Sequence, residues 1–301
     1  MISDNPDSRK KEPRPVQLKV TEASGLLKFL LTHLHGKGRN TVKSILSHHQ
    51  VLVDGRVETH FDFQLKPQQL VTIRQERIAE EIKYRGLKIL FEDSYVIVIE
   101  KDAGLLSMAS EKEKVLTAYS ILSGHVKREN PNNRIFIVHR LDRDTSGVMM
   151  FAKSEKMQTI LQQSWYESVS ERTYIAVVEG EVENNEGTIR SYLKENKALI
   201  MYSTRNKEDG DEAITHYKVL KRAKGFSLLE IELETGRKNQ IRVHLKELGH
   251  SVIGDEKYGS KQNPIGRVGL HAKVLAFKHP FSGTVVRFES PVPQKLLKLF
   301  E

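Results

Sequence analysis

Val138–Lys153 reads V-HRLDRDTSG-VMMFAK, and its reading decides the fold. Ile135, Phe136, Ile137 and Val138 before the polar cluster read as a buried strand. Val148, Met149, Met150, Phe151 and Ala152 after it read as a second. Charged side chains are thus held at the mouth of an apolar core, where they are costly unless partnered. Asp144, Thr145, Ser146 and Gly147 are good turn formers, since three can bond the local backbone and glycine tolerates positive φ. A turn does not explain His139, Arg140, Leu141 and Asp142, which sit where a core strand would simply end. On the residues alone, a connection and a functional cluster account for the stretch equally well.

A second polar stretch, Thr235-Gly-Arg-Lys-Asn-Gln-Ile-Arg-Val-His244, has the same character, with Arg242 flanked by apolar Ile241, Val243 and Leu245. Gly236 ends a strand there, and a helix is expected to begin near Lys238. A third, Arg172–Gly180 (RTYIAVVEG), reads as a strand.

These three stretches together resemble the RluA-type pseudouridine synthases. HRLDRDTSG resembles the family signature whose Asp is the catalytic carboxylate, here Asp142. Arg172–Gly180 resembles K-x-Y-x-A-x-V-x-G, and the resemblance implies that Tyr174 packs against the target base. Thr235–His244 resembles T-G-R-x-H-Q-I-R-x-H, with Asn239 for the usual His, and implies that Arg242 pairs with the catalytic Asp. Lys101-Asp-Ala-Gly104-Leu-Leu resembles a further family motif with Asp102 for Pro, read as a tight turn under the active site. Gly249–Gly259, Leu270-His271-Ala272 and His279-Pro280 complete the resemblance and read as mostly structural. It runs from Leu87 to about Ser290.

The reaction so implied is isomerisation of uridine to pseudouridine within RNA, with no cofactor and no metal. A carboxylate beside arginines suits an ionised, nucleophilic role better than general-base work. By resemblance, Asp142 is catalytic, Arg242 orients it and Tyr174 stacks on the uracil. Arg140 fills the gap left by a flipped uridine. His139 and Arg237 are further RNA-binding candidates.

Composition agrees. A formal charge of +9 and pI of 9.4 favour polyanionic partners, and roughly half of the excess lies in the first quarter of the chain. The chain has no cysteine, which excludes disulfides and thiol catalysis and fits a cytoplasmic protein. No signal peptide or membrane span is expected.

Residues 1–15 read as a disordered tail, 16–75 as a small module, 76–86 as a linker and 87–301 as the catalytic domain. In the small module, apolar spacing predicts a helix over Leu26–Leu34. A second helix holds Val42, Ile45 and Leu46, capped by Asn40 or Thr41, and a hairpin turns at Asp54-Gly55. This order resembles an S-four-type RNA-binding domain, with Lys37, Arg39 and Lys43 as phosphate contacts. Gly25-Leu26-Leu27 and Gln50 depart from that pattern. The later strand-like runs indicate an α+β domain with a mixed, mainly antiparallel sheet. The expected protein is a monomer acting on ribosomal RNA. A transfer-RNA enzyme, a non-catalytic RNA-binding or ribosome-assembly protein, and a metal hydrolase using Asp142, Asp144 and histidines 139, 244, 250 and 271 are the alternatives.

Overall fold

The computed structural model describes residues 15–34, 36–47, 50–73, 84–109 and 116–301. The chain divides into two compact units, Met1–Ile82 and Lys83–Glu301. Residues 1–14 of the expected tail and 76–83 of the expected linker lie outside the described residues.

The first unit runs β1 (Val16–Lys19), β2 (Ser24–Gly25), α1 (Leu26–His33), α2 (Arg39–Ser47), β3 (Val51–Val53), β4 (Arg56–Val57), β5 (Gln64–Leu65) and β6 (Leu70–Ile73). Its antiparallel sheet has the order β1-β6-β3-β4, and β2 pairs with β5. Leu26 and Leu30 of α1 and Val42 and Leu46 of α2 pack on Val51 and Val71, the apolar face that the spacing predicts. The β3–β4 turn needs two residues at positive φ, and Asp54 (50°) and Gly55 (81°) supply them. The Asp54 carboxylate then accepts from Leu70 N and Gln69 Nε2, which ties the turn to β6. Helix α2 starts at Arg39, ahead of both expected caps, and β1 has no clear signature in the sequence.

The second unit runs β7 (Leu87–Glu92), β8 (Val96–Lys101), α3 (Ala118–Glu129), β9 (Phe136–Ile137), β10 (Ser146–Ala152), α4 (Glu155–Gln163), α5 (Trp165–Ser168), β11 (Val169–Glu179), β12 (Glu186–Glu195), β13 (Met201–Thr204), β14 (Asp211–Ala223), β15 (Phe226–Leu233), α6 (Gln240–Glu247), β16 (Leu270–Lys278), β17 (Val285–Glu289) and α7 (Gln294–Leu297). The sheet order is β13-β12-β14-β15-β11-β16-β10-β8-β7, with β17 on β16 and β9 on β10. Pairing is antiparallel except between β10 and β16, so the domain is α+β with a mixed, mainly antiparallel sheet.

All seven residues of β10 are buried, because the strand is covered on both faces. One face of β10 contributes Met149 and Phe151 to a core with Leu122 and Val126 of α3. The other contributes Val148 and Met150 to a core with Leu161 of α4 and Phe277 of β16.

Three details correct the sequence reading. The strand before the polar cluster is only two residues long, although Ile135 and Val138 beside it are buried. Ser146 and Gly147 belong to β10 and not to the turn. A Cβ on Gly147, at φ 117°, would lie 2.0 Å from Ala272 O, so the close parallel approach of β16 requires this glycine. Helix α6 begins at Gln240, two residues after Lys238, because Asn239 is left-handed (φ 53°, ψ 20°).

Candidate active site

The loop between β9 and β10 carries Asp142, and its neighbours are pinned. Leu141 is buried in the core beneath. Its N–H donates to Ser107 Oγ at 3.2 Å, and its C=O accepts from that hydroxyl at 2.7 Å. Lys101, at the end of β8, is wholly buried. Its ammonium donates to the carbonyls of Asp102, Leu105 and Arg143 at 2.9, 2.7 and 3.0 Å. Gly104 N–H also reaches Arg143 O, at 2.8 Å. Three donors meeting three carbonyls satisfy the ammonium, yet burial still pulls its pKa down to about 8 against the pull of nearby carboxylates. The segment expected as a turn beneath the site is therefore built around a lysine that the sequence reading did not single out.

Helix α6 and the residue just before it supply the partners of Asp142. Gln240 caps the turn before it. Its Oε1 accepts from Arg237 N and Thr235 Oγ1, and its Nε2 donates to Ile214 O and Thr215 Oγ1 on β14. That grip fixes the first turn of the helix. From there Asn239 Nδ2 donates to Asp142 Oδ2 at 2.6 Å, and Arg242 Nη1 donates to the same oxygen at 3.0 Å.

Arg242 is held from behind. Its Nε and Nη2 make a two-pronged pair with Asp255 at 2.6 and 2.8 Å, and Asp255 is 1% exposed. The Tyr258 ring lies under the guanidinium, 4.7 Å from ring centroid to Cζ. The Tyr258 hydroxyl donates to Asn239 Oδ1 at 3.0 Å and accepts from Met201 N at 3.2 Å. Burial opposes the charge on Arg242, but the pairs with Asp255 and Asp142 outweigh it and hold its pKa above the ordinary arginine value. Residues 255 and 258 lie in the segment read as mostly structural. They instead lock the two side chains that grip Asp142.

Asp142, Arg140, Tyr174, Arg237, Asn239 and Arg242 line one cavity of about 70 Å³. Burial raises the Tyr174 pKa; Arg172 opposes that rise and Asp142 adds to it, so the phenol stays protonated at neutral pH. Arg140 is exposed at the rim, and Arg237 bonds Glu212 O through Nε. His139 lies in the neighbouring cavity, where its Nε2 accepts from Met150 N at 3.1 Å and burial pulls its pKa down to about 3. Its proton is then on Nδ1. Lys37, Arg39 and Lys43 are exposed in the first unit, with Lys43 Nζ 5.1 Å from the Phe61 ring centroid.

The histidines of the hydrolase alternative are not assembled. His244 bonds Ser191 and Thr215, His250 bonds Glu179 O, and His271 bonds Ser146 and Ser290 O. Among the described residues no group of three His, Cys, Asp or Glu side chains is set to hold a metal ion. No helix there is long and apolar enough to cross a membrane.

A family model described as RNA pseudouridylate synthase matches residues 95–247. The chain is 33% identical over 264 residues to "Uncharacterized RNA pseudouridine synthase YhcT" of Bacillus subtilis (strain 168), covering 86% of each. It is 34% identical over 276 residues to "Ribosomal large subunit pseudouridine synthase D" of Neisseria meningitidis serogroup B, covering 87% of this chain and 74% of that one. Among solved structures, human RNA pseudouridylate synthase domain containing 4 superposes with a TM-score of 0.58 at 23% identity, over 69% of this chain and 90% of that one. With the fold and two independent sequence matches in agreement, the chain belongs to the RluA-type RNA pseudouridine synthases.

Proposed function

We propose that this enzyme isomerises a uridine of large-subunit ribosomal RNA, with Asp142 as its catalytic carboxylate. The observation that carries the reading is the convergence of Asn239 and Arg242 on one oxygen of Asp142, in a cavity that Tyr174 also lines. Isomerisation breaks the bond from ribose C1′ to uracil N1, forms one from C1′ to C5, and balances by loss of the C5 proton and protonation of N1. Both described bonds to Asp142 fall on Oδ2, which leaves Oδ1 for the substrate.

Arg242 and Asn239 fix the carboxylate rather than touch the base. Tyr174 offers a flat face to the uracil while it is detached and turned. Arg140, exposed at the rim, takes the space that the extruded uridine leaves in the RNA. Arg237 meets the RNA backbone beside it. Lys37, Arg39 and Lys43 supply sequence-independent phosphate contacts from an S-four-type module. The ribosomal target is suggested by relatives named as ribosomal large subunit pseudouridine synthases.

The test maps pseudouridines by carbodiimide labelling across total RNA from cells with and without the gene. A large-subunit site that vanishes, and returns with wild type but not with Asp142→Asn, is expected. A vanishing site in transfer RNA instead would overturn the ribosomal target alone. Restoration by Asp142→Asn would overturn the catalytic assignment.

A further inference from the structure

A second cavity, of about 350 Å³, opens beside the one that holds Asp142 and shares Arg140, Tyr174, Leu233 and Arg237 with it. Its volume falls within the ~300–1,000 Å³ of sites that take small organic groups. Val148, Ala272, Val274 and Leu275 give it apolar walls, and Trp165 and Tyr166 of α5 line another side. Three arginines, 140, 172 and 237, line it, and no carboxylate does. A slot with apolar, aromatic and cationic walls has the chemistry of a nucleobase site.

The slot is fixed relative to Asp142. Gln158 and Gln162 of α4 donate to Ile137 O at 2.8 and 3.1 Å, and Gln162 reaches Val138 O at 3.3 Å, at the start of the loop that carries Asp142. Arg172 spans the slot from the other side. Its Nη2 bonds Leu233 O and Glu234 O, and its Cζ lies 5.7 Å from the Trp165 ring centroid. Its described hydrogen bonds go to neutral carbonyls, so its positive charge stays available to a phosphate. Tyr166 is 63% exposed, so its ring is accessible to a stacking partner.

We infer that this slot is a second nucleobase site, which receives an unstacked base flanking the target uridine. The inference rests on the RNA-modifying role of the adjoining cavity. A neighbouring base drawn out with the uridine would stack against α5, and its phosphate would lie among the arginines. The enzyme would thereby read an accessible loop of RNA rather than a single flipped nucleotide.

The chain has one tryptophan, so intrinsic tryptophan emission reports on the slot alone. The probe is an RNA hairpin whose seven-nucleotide loop is AAAUAAA, compared with versions abasic at the uridine or at either neighbour. Binding is followed separately by anisotropy of fluorescein-labelled hairpins. Quenching of Trp165 by the intact loop is expected. An abasic residue on one flank is expected to abolish it, whereas loss of the uridine base is not. Tyr166→Ala is expected to weaken the intact loop by about fivefold or more and to leave the flank-abasic hairpin unchanged. Binding without quenching, or quenching that depends only on the uridine base, would overturn the second site and spare the enzyme assignment. No anisotropy change with any hairpin would overturn both the site and the adjoining cavity's RNA role.

Discussion

Asn239, which stands where the family motif carries histidine, makes the shorter of the two described bonds to Asp142: 2.6 Å from Nδ2 to Oδ2, against 3.0 Å from Arg242. The substitution therefore keeps a donor at the carboxylate. It also keeps an acceptor, because Oδ1 takes the Tyr258 hydroxyl.

Asn239→Leu removes both. Losing a hydrogen bond to a charged group costs ~1–3 kcal/mol, which predicts a fall in single-turnover rate of about 5- to 150-fold with RNA affinity retained. Asn239→His restores a ring N–H and is expected to keep most of the turnover. Equal rates for all three proteins would show that this bond does not position Asp142.

Asp142→Asn preserves shape and removes charge. Pseudouridine formation is expected to drop to background, while RNA affinity measured by filter binding changes less than about tenfold. Residual turnover near wild type would relocate the catalytic group.

Arg242→Met leaves Asp255 buried without its charge partner. Breaking such a pair costs ~3–5 kcal/mol, so the urea midpoint should fall and activity should vanish. Asp255→Asn is the sharper probe. Asp255 is absent from the lining of the cavity that holds Asp142, yet the variant is expected to lower kcat, with KM for RNA little changed, because Arg242 loses its rear support. An unaltered kcat would remove Asp255 from the positioning chain.

Lys101 predicts a pH dependence. Its value in the fold, about 8, lies below the 10.5 of a free lysine. Between those values the unfolded chain binds the extra proton, so the stability contributed by this group rises with pH across the window and is lowest below about 8. Urea unfolding of wild type and Lys101→Met at pH 7, 8, 9 and 10 isolates the effect, since other titrations cancel. The wild type should gain on the variant above pH 8. Turnover should move the other way, because a neutral amine can donate to only two of its three carbonyls. A flat difference between the two proteins would remove the lysine from this role.

Asp142, Arg242 and Tyr174 were legible because each sits in a polar stretch that interrupts an apolar run, and because those stretches resemble family motifs. The structure then brings all three to one cavity. Asp255, Tyr258 and Lys101 were not legible for a physical reason. Each acts through a partner that only the tertiary fold supplies, and a lysine closing an apolar strand reads locally as its solvent-facing end. Helix α3 was missed because its cap, Thr117 with Ser120, precedes a run with sparse apolar spacing. Gly147 was misread because its left-handed backbone serves a neighbouring strand and not a turn.

The bonds that fix Asp142 join residues 97 and 100 positions apart, and Ser146 meets His271 across 125. On a ribosome adding ~5–20 residues per second, the carboxylate emerges on the order of 5–20 s before the residues that hold it. During that interval Lys101, Gly104 and Ser107, from earlier in the chain, are the described hydrogen-bond partners of its loop. On the proposed assignment of Asp142, co-translational action on RNA is expected only once α6 and the turn after it have been synthesised and have packed against the loop.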